Sequence, residues 1–356
     1  MINYNKFSNL FFITIFSFAP VSILIGPSIS LILVLIICLY YILLNFKKDF
    51  FHLVNDKTIL ILILLNIYLI FNSLISVDFD SGFKRNFGFV RYIFLFLAIN
   101  YFIKVSNNLD KVFQFWTIIL LIVFFDIFYE FLNGQNILGF VSENPKRIVS
   151  FFKDEQVVGA FLNGFIFIII GFLFQKFEEK KTYEKFFIIF FISFAILSMI
   201  FTGERSNTIK LFFGLAIFFY FNDKIKFKHK VIFVFSFIFS FLIIYNYFLS
   251  TGGKNHIKHR YYNDLVQRII IKEKRENYIY FTLYKSGIEV FKLNPIFGVG
   301  NKNYRVESCL KENRKSSNYL CATHPHQIYF EFLSEHGLFG TLILLSILFY
   351  LIFKDY

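Results

Sequence analysis

The apolar residues of this chain come in runs of about twenty, one after another, each long enough for an α-helix to cross the hydrocarbon core of a bilayer. Backbone inside lipid has to satisfy its own hydrogen bonds, which such runs do by staying helical. The runs fall at 9–25, 28–45, 58–76, 87–103, 112–132, 157–175, 186–202, 207–221, 231–249 and 335–353. They predict an all-α, polytopic membrane helix bundle of about ten spans. The composition, 56% hydrophobic and 17% charged, excludes an ordinary soluble domain. The 57 Phe residues accompany Ile, Lys and Asn enrichment and are read as coding bias, not as an aromatic binding surface.

A net charge of +13 invites a nucleic-acid reading, but many of the lysines sit in short connections, where positive charge holds a loop in the cytoplasm. With the N-terminus inside, the cytoplasmic connections carry Lys47, Lys48, Lys57, Lys104, Lys111, Lys176, Lys180, Lys181, Lys185, Lys224, Lys226, Lys228 and Lys230. The opposite short connections hold Lys84, Arg85, Lys146, Arg147, Lys153 and Arg205. This bias predicts both termini in the cytoplasm. The first run follows Lys6 with no small-residue cleavage site and is read as an uncleaved span. The expected organisation is a helix bundle over 1–249, an extracytoplasmic loop over 250–334, and a last span and tail over 335–356. Residues 77–86, 133–156 and the turn 202–207 fall on the same outer face as that loop.

The chemistry-bearing residues concentrate late in the chain. Residues 278–293 have the apolar spacing of an amphipathic helix that stops at Asn294-Pro295, and Gln327 to His336 is helical again up to Gly337. Cys309 and Cys321 share the long loop. Bridged, they would add ~3 kcal/mol by restricting the unfolded chain; two free thiols are the other reading, and a Cys/His metal site with His324 or His326 the third. His324-Pro325-His326 precedes a helix and offers an imidazole that can take a proton, although a His there can equally be a surface or capping residue. Arg205 is either an interfacial anchor or a phosphate fork. Arg268, Arg275 and Arg305 are further basic candidates. Gly298-Val299-Gly300 reads as a turn, and Asp78-Phe79-Asp80 as a solvated loop or a weak metal motif. Asp126 and Glu130 share a helix face inside a span and are read as looking into the bundle or its water-filled mouth, toward Arg91 or Lys210, which would suit a flippase or transporter.

The sequence FTGERSN at 201–207, NPIFGVGNKNYR at 294–305 and THPHQIYFEFLSEHGLFG at 323–340, in this order, resembles the C-terminal signature of the O-antigen ligase family of bacterial membrane glycosyltransferases. Within that resemblance His326 matches the essential His, with His324 beside it, and Arg205 the essential Arg. Gln327 stands where Asn is usual. A further essential Arg has no clear counterpart, since Tyr280 and Tyr284 occupy the nearest region; Arg305, Arg275 and His324 are the candidates for binding the diphosphate. The resemblance implies an inverting transfer of glycan from undecaprenyl diphosphate to a lipid A-core sugar, with no cofactor and no metal. The implied place is the periplasmic face of the bacterial inner membrane, with membrane lipid and no nucleic acid as partner. An O-antigen or capsule polymerase would use the same donor.

Overall fold

A computed structural model describes residues 6–45, 57–106, 108–144, 147–153, 155–176, 181–222, 261, 279–313, 316 and 318–353. Among these residues every regular element is helical. The helices are α1 (Lys6–Ser17), α2 (Ala19–Ile25), α3 (Pro27–Asn45), α4 (Lys57–Leu74), α5 (Phe79–Phe87), α6 (Val90–Val105), α7 (Leu109–Asn133), α8 (Val158–Lys176), α9 (Thr182–Phe201), α10 (Arg205–Phe221), α11 (Ile279–Leu293), α12 (Tyr304–Cys309) and α13 (Ile328–Phe353). Among the described residues, seven stretches are long and apolar enough to cross a membrane, or eight if the bent pair Ser8–Ser17 and Ala19–Ile25 forms one span. Large apolar side chains face outward, among them Leu43 at 75% and Phe213 at 69% exposure, a surface suited to lipid and not to water. The chain is a multi-pass membrane protein.

The expected spans at 28–45, 58–76, 112–132, 157–175 and 186–202 coincide with α3, α4, α7, α8 and α9. The run at 207–221 is α10, whose 17 residues reach about 25 Å. The span expected at 231–249, Arg268 and Arg275 lie outside the described residues. Two expectations are corrected. Residues 77–86, read as a loop, are mostly α5: Phe79, Phe83 and Phe87 stack in sequence at 4.5 and 5.9 Å, a helical spacing obscured by the charges between them. With α6 they make one apolar stretch, Phe79–Val105, in place of a span at 87–103. The closing run 335–353 is the later part of α13, which begins at Ile328 and is interrupted at Gly337.

The residues cluster in two compact units, one from 1–33 and 105–270, the other from 34–104 and 271–356. In the first, α7 is the central helix, with Leu120, Val123, Phe124 and Ile127 fully buried. Pro20 lacks the N–H that would close a helical bond to Phe16, and the chain bends by 40° between α1 and α2. The Trp116 indole donates to the carbonyls of Phe16 and Ser17 at 3.2 and 3.1 Å, so the break is satisfied from a neighbouring helix.

Asp126 and Glu130 do not look into a water-filled mouth. Both are buried and hold the connection that follows α7: Ile137 N–H donates to Asp126 at 2.8 Å, and the N–H groups of Val149 and Ser150 donate to Glu130 at 3.1 and 2.6 Å. Lys210 is exposed, and the Arg91 guanidinium lies 4.7 Å from the Tyr92 ring centroid. A carboxylate within a span is costly unless it is met by donors, and here backbone donors meet both. The transport reading loses its main support.

The second unit is organised by a break. Gly337 has φ 62°, so α13 cannot run through it, and the segment Pro295–Gly300 lies alongside and takes up the bonding. Leu338 and Phe339 donate to the carbonyls of Pro295 and Ile296 at 2.9 and 3.0 Å, while Val299 and Gly300 donate back to Ser334 and Glu335, both at 3.0 Å. A Cβ on Gly337 would sit 2.4 Å from the Ile296 carbonyl, and one on Gly298 2.3 Å from the Glu335 carbonyl carbon. Only glycine permits this approach. Buried Asn72 of α4 completes the joint, donating to the carbonyls of Phe297 and Glu335, both at 3.2 Å, and accepting from Asn301 N–H at 2.9 Å. Asn86 of α5 donates to the Leu69 carbonyl and Ser73 Oγ and accepts from the Asn301 side chain.

Candidate functional site

In the second unit, α11 and the start of α13 pack against each other where Gly287 leaves room. A Cβ there would come within 3.1 Å of Phe330 Cβ and 3.3 Å of Pro325 Cβ. Pro325 is therefore buried, and the two imidazoles on either side of it are turned outward to different degrees: His324 is half-buried and His326 exposed. Their ring centroids are 4.1 Å apart, and Tyr280 of α11 meets His326 edge to face at 5.6 Å. Thr323 Oγ1 lies 2.9 Å from His324 Nδ1.

His326 has φ 58°, a conformation that costs a side-chain-bearing residue about 1–3 kcal/mol and is found most often where function requires it. The next residue immediately precedes α13. Its side chain, Gln327 Oε1, accepts the Phe330 N–H at 3.0 Å, so the Gln that replaces the usual Asn acts as the helix cap. Partial burial, and then the neighbouring His324, lower the His326 pKa from its ordinary 6.5; Glu331 opposes them. An imidazole held neutral at neutral pH is prepared to accept a proton. Glu331 itself pairs with Lys302 at 3.1 Å.

The second candidate centre is the turn of the first unit. Gly203 has φ 70°, and Glu204, not Arg205, is the residue buried there. Its carboxylate accepts Gly159 N–H at the start of α8 at 2.8 Å, where the helix dipole favours negative charge, and the Asn207 amide at 2.6 Å. Thr208 Oγ1 donates to the Glu204 carbonyl at 3.0 Å, and Ile148 N–H donates to the Thr202 carbonyl at 3.2 Å. The turn is thus held from α8, α10 and the 147–153 segment, and Arg205 leaves it half-buried, as the first residue of α10 and not as a loop residue.

Arg305 is exposed on α12. Cys309 and Cys321 are joined by a disulfide, with Cα atoms 4.4 Å apart, and close a small lobe over a core of Val290, Val299 and Tyr304. Cys38 is the buried free thiol among the described residues. Asp78 receives the Ser81 hydroxyl, and among the described residues no group of three His, Cys, Asp or Glu side chains gathers to hold a metal. The sequence assigned no role to Asn72, Asn86, Glu204 or Glu335, although Glu204 and Glu335 lie within the strings that carry the family resemblance. Glu335 is buried, and its carboxylate receives the Tyr304 N–H at 3.4 Å. The available signal was the presence of polar side chains inside or between apolar runs.

The architecture defines a class, a multi-pass helical membrane protein whose buried polar residues serve helix breaks and tight turns and leave a few reactive side chains outward. Residues 186–345 match the family model described as O-antigen ligase, and the match spans Arg205, the 294–305 segment and His326. Over those residues the chain is similar to the O-antigen ligase family. Neither the curated proteins nor the solved structures yield a match.

Proposed function

We propose that this protein is an inverting glycosyltransferase of the O-antigen ligase type, which moves a glycan from undecaprenyl diphosphate to a sugar of lipid A-core at the periplasmic face of the inner membrane. The observation that carries the reading is His326: an exposed imidazole in a strained conformation, seated on buried Pro325, inside the matched domain. In the reaction an acceptor hydroxyl oxygen forms a bond to the anomeric carbon while the bond from that carbon to the diphosphate oxygen breaks. His326 takes the hydroxyl proton and the diphosphate leaves with the bonding pair. Attack from the face opposite the leaving group inverts the anomeric centre, and no covalent intermediate with the protein is needed.

Arg205 compensates the charge gathering on the departing diphosphate, for which a planar, permanently charged fork is suited. Its anchorage through Glu204 supports that role, because a preorganised cation costs little reorganisation during reaction. The donor carries its own activation and needs no nucleotide. Arg305, and Arg275 outside the described residues, are the further candidates for the diphosphate, with His324 beside the base. A polymerase would use the same donor and a lipid-linked repeat unit as acceptor.

The test is transfer by the purified protein from undecaprenyl-diphosphate-linked glycan to lipid A-core, with and without chelator, for wild type, His326→Ala and Arg205→Ala. Transfer that resists chelator and is lost in both variants is the expected result. Full activity in His326→Ala would remove the base assignment. Elongation of the lipid-linked glycan with lipid A-core left untouched would make the protein a polymerase.

A further inference from the structure

The connection between α7 and α8 is built at unusual expense for a loop. Asn136 is buried, and its side chain closes a turn by accepting from the N–H groups of Leu138 and Phe140 at 3.0 and 2.7 Å while donating to the Ser150 carbonyl at 2.8 Å. Asp126 and Glu130, also buried, are used up on Ile137, Val149 and Ser150. Ser150 and Lys153 have φ 48° and 58°, positions where glycine would be expected. Three buried polar side chains thus hold a short irregular segment in one strained shape, which is the pattern of a segment that positions something.

What it carries is Arg147. This residue is half-buried, and its Nε is buried with no hydrogen-bond partner. A buried guanidinium N–H left without an acceptor costs about 1–3 kcal/mol. The next residue, Ile148, donates to the carbonyl of Thr202, three residues before Arg205, so the Arg147 segment is stitched directly to the arginine-bearing turn of the same unit.

We infer that Arg147 is a second diphosphate ligand: carried by a segment that is bonded to the Arg205 turn, its half-buried side chain adds a second permanent positive charge for the lipid diphosphate. The inference rests on the reading of Arg205 given above. A diphosphate carries more than one negative charge, and one guanidinium leaves part of it uncompensated in a site of low dielectric. No step of the chemistry changes; Arg147 binds and orients the leaving group.

The experiment uses the purified full-length protein in detergent, with undecaprenyl diphosphate as the probe. The readouts are its binding constant, the melting temperature without probe, and separate KM values for donor and acceptor. Arg147→Met and Arg205→Met are each expected to weaken binding about tenfold or more, as loss of a charge-assisted contact does. For Arg147→Met the donor KM rises, the acceptor KM stays at the wild-type value, and the melting temperature without probe does not fall. Arg147→Gln, which retains an N–H donor at the buried position, provides a folded variant if the Met substitution proves unstable, and the same weakening is expected. If Arg205→Met loses the diphosphate while both Arg147 variants bind it as wild type does, the inference is overturned and the Arg205 reading stands. If wild type itself does not bind undecaprenyl diphosphate, both fall.

Discussion

At the scale of single residues, the side chains expected to react are supported by neighbours that motif reading passes over. His326 and Arg205 could be nominated from the sequence because a His just before a helix and a lone Arg between spans belong to recognisable strings. Their supports, Gln327 as a helix cap and Glu204 as the buried anchor, were not, because their partners Phe330, Gly159 and Asn207 are identified only by the fold. The His326 environment has a pH consequence. Its pKa lies below 6.5, so kcat/KM should hold at neutral pH and fall only as pH drops past that lowered value. Removing the His324 charge in His324→Ala should move the acid limb to higher pH, and Glu331→Gln should move it lower; identical profiles in all three proteins would count against His326 as the base. Stability shifts the same way: the unfolded chain binds the proton more readily, so this group's contribution is present above pH 6.5 and is lost as pH falls through the lowered folded-state value.

At the scale of elements, most helices could be read directly from apolar runs, and the failures have a shared cause. The α5 helix was hidden because Asp80, Lys84 and Arg85 dilute its run, although Phe79, Phe83 and Phe87 keep helical spacing. The Gly337 break was visible as a stop, but its partner strand of chain was not, since nothing in a sequence says that 295–300 returns to it. The joint permits two stability predictions. Gly337→Ala adds a Cβ 2.4 Å from backbone that cannot yield, at a positive φ, and should leave little folded protein on size-exclusion chromatography. Asn72→Leu strips partners from two carbonyls and one N–H in a buried setting, and should cost about 2–4 kcal/mol, seen as a lower melting temperature in detergent. A melting temperature unchanged from wild type would show that the joint holds without Asn72.

At the scale of the whole molecule, charge distribution gives a testable sidedness. In intact cells a membrane-impermeant maleimide should label Ser316→Cys but not a cysteine introduced at exposed Thr182, which flanks a connection assigned to the cytoplasm; the reverse pattern would invert the topology. Breaking the disulfide with the double change Cys309→Ser and Cys321→Ser, which span a separation of 12 residues, should lower stability by about 3 kcal/mol, measured by chemical denaturation in detergent. The division into two units, each assembled from separate stretches of chain, was not legible, because hydropathy counts helices without saying which of them associate. The backbone ladder between 295–300 and 334–339 also has an evolutionary reading. It clamps the base of a ring formed by residues 301–333, much as a drawstring closes a bag. Length changes in the disulfide lobe inside that ring carry a small entropic cost, about 0.6 kcal/mol for each doubling of a flexible loop. One residue added between Asn294 and Gly300 would put the ladder out of register. Relatives of this chain should therefore differ most in the size of the lobe and least in the clamp.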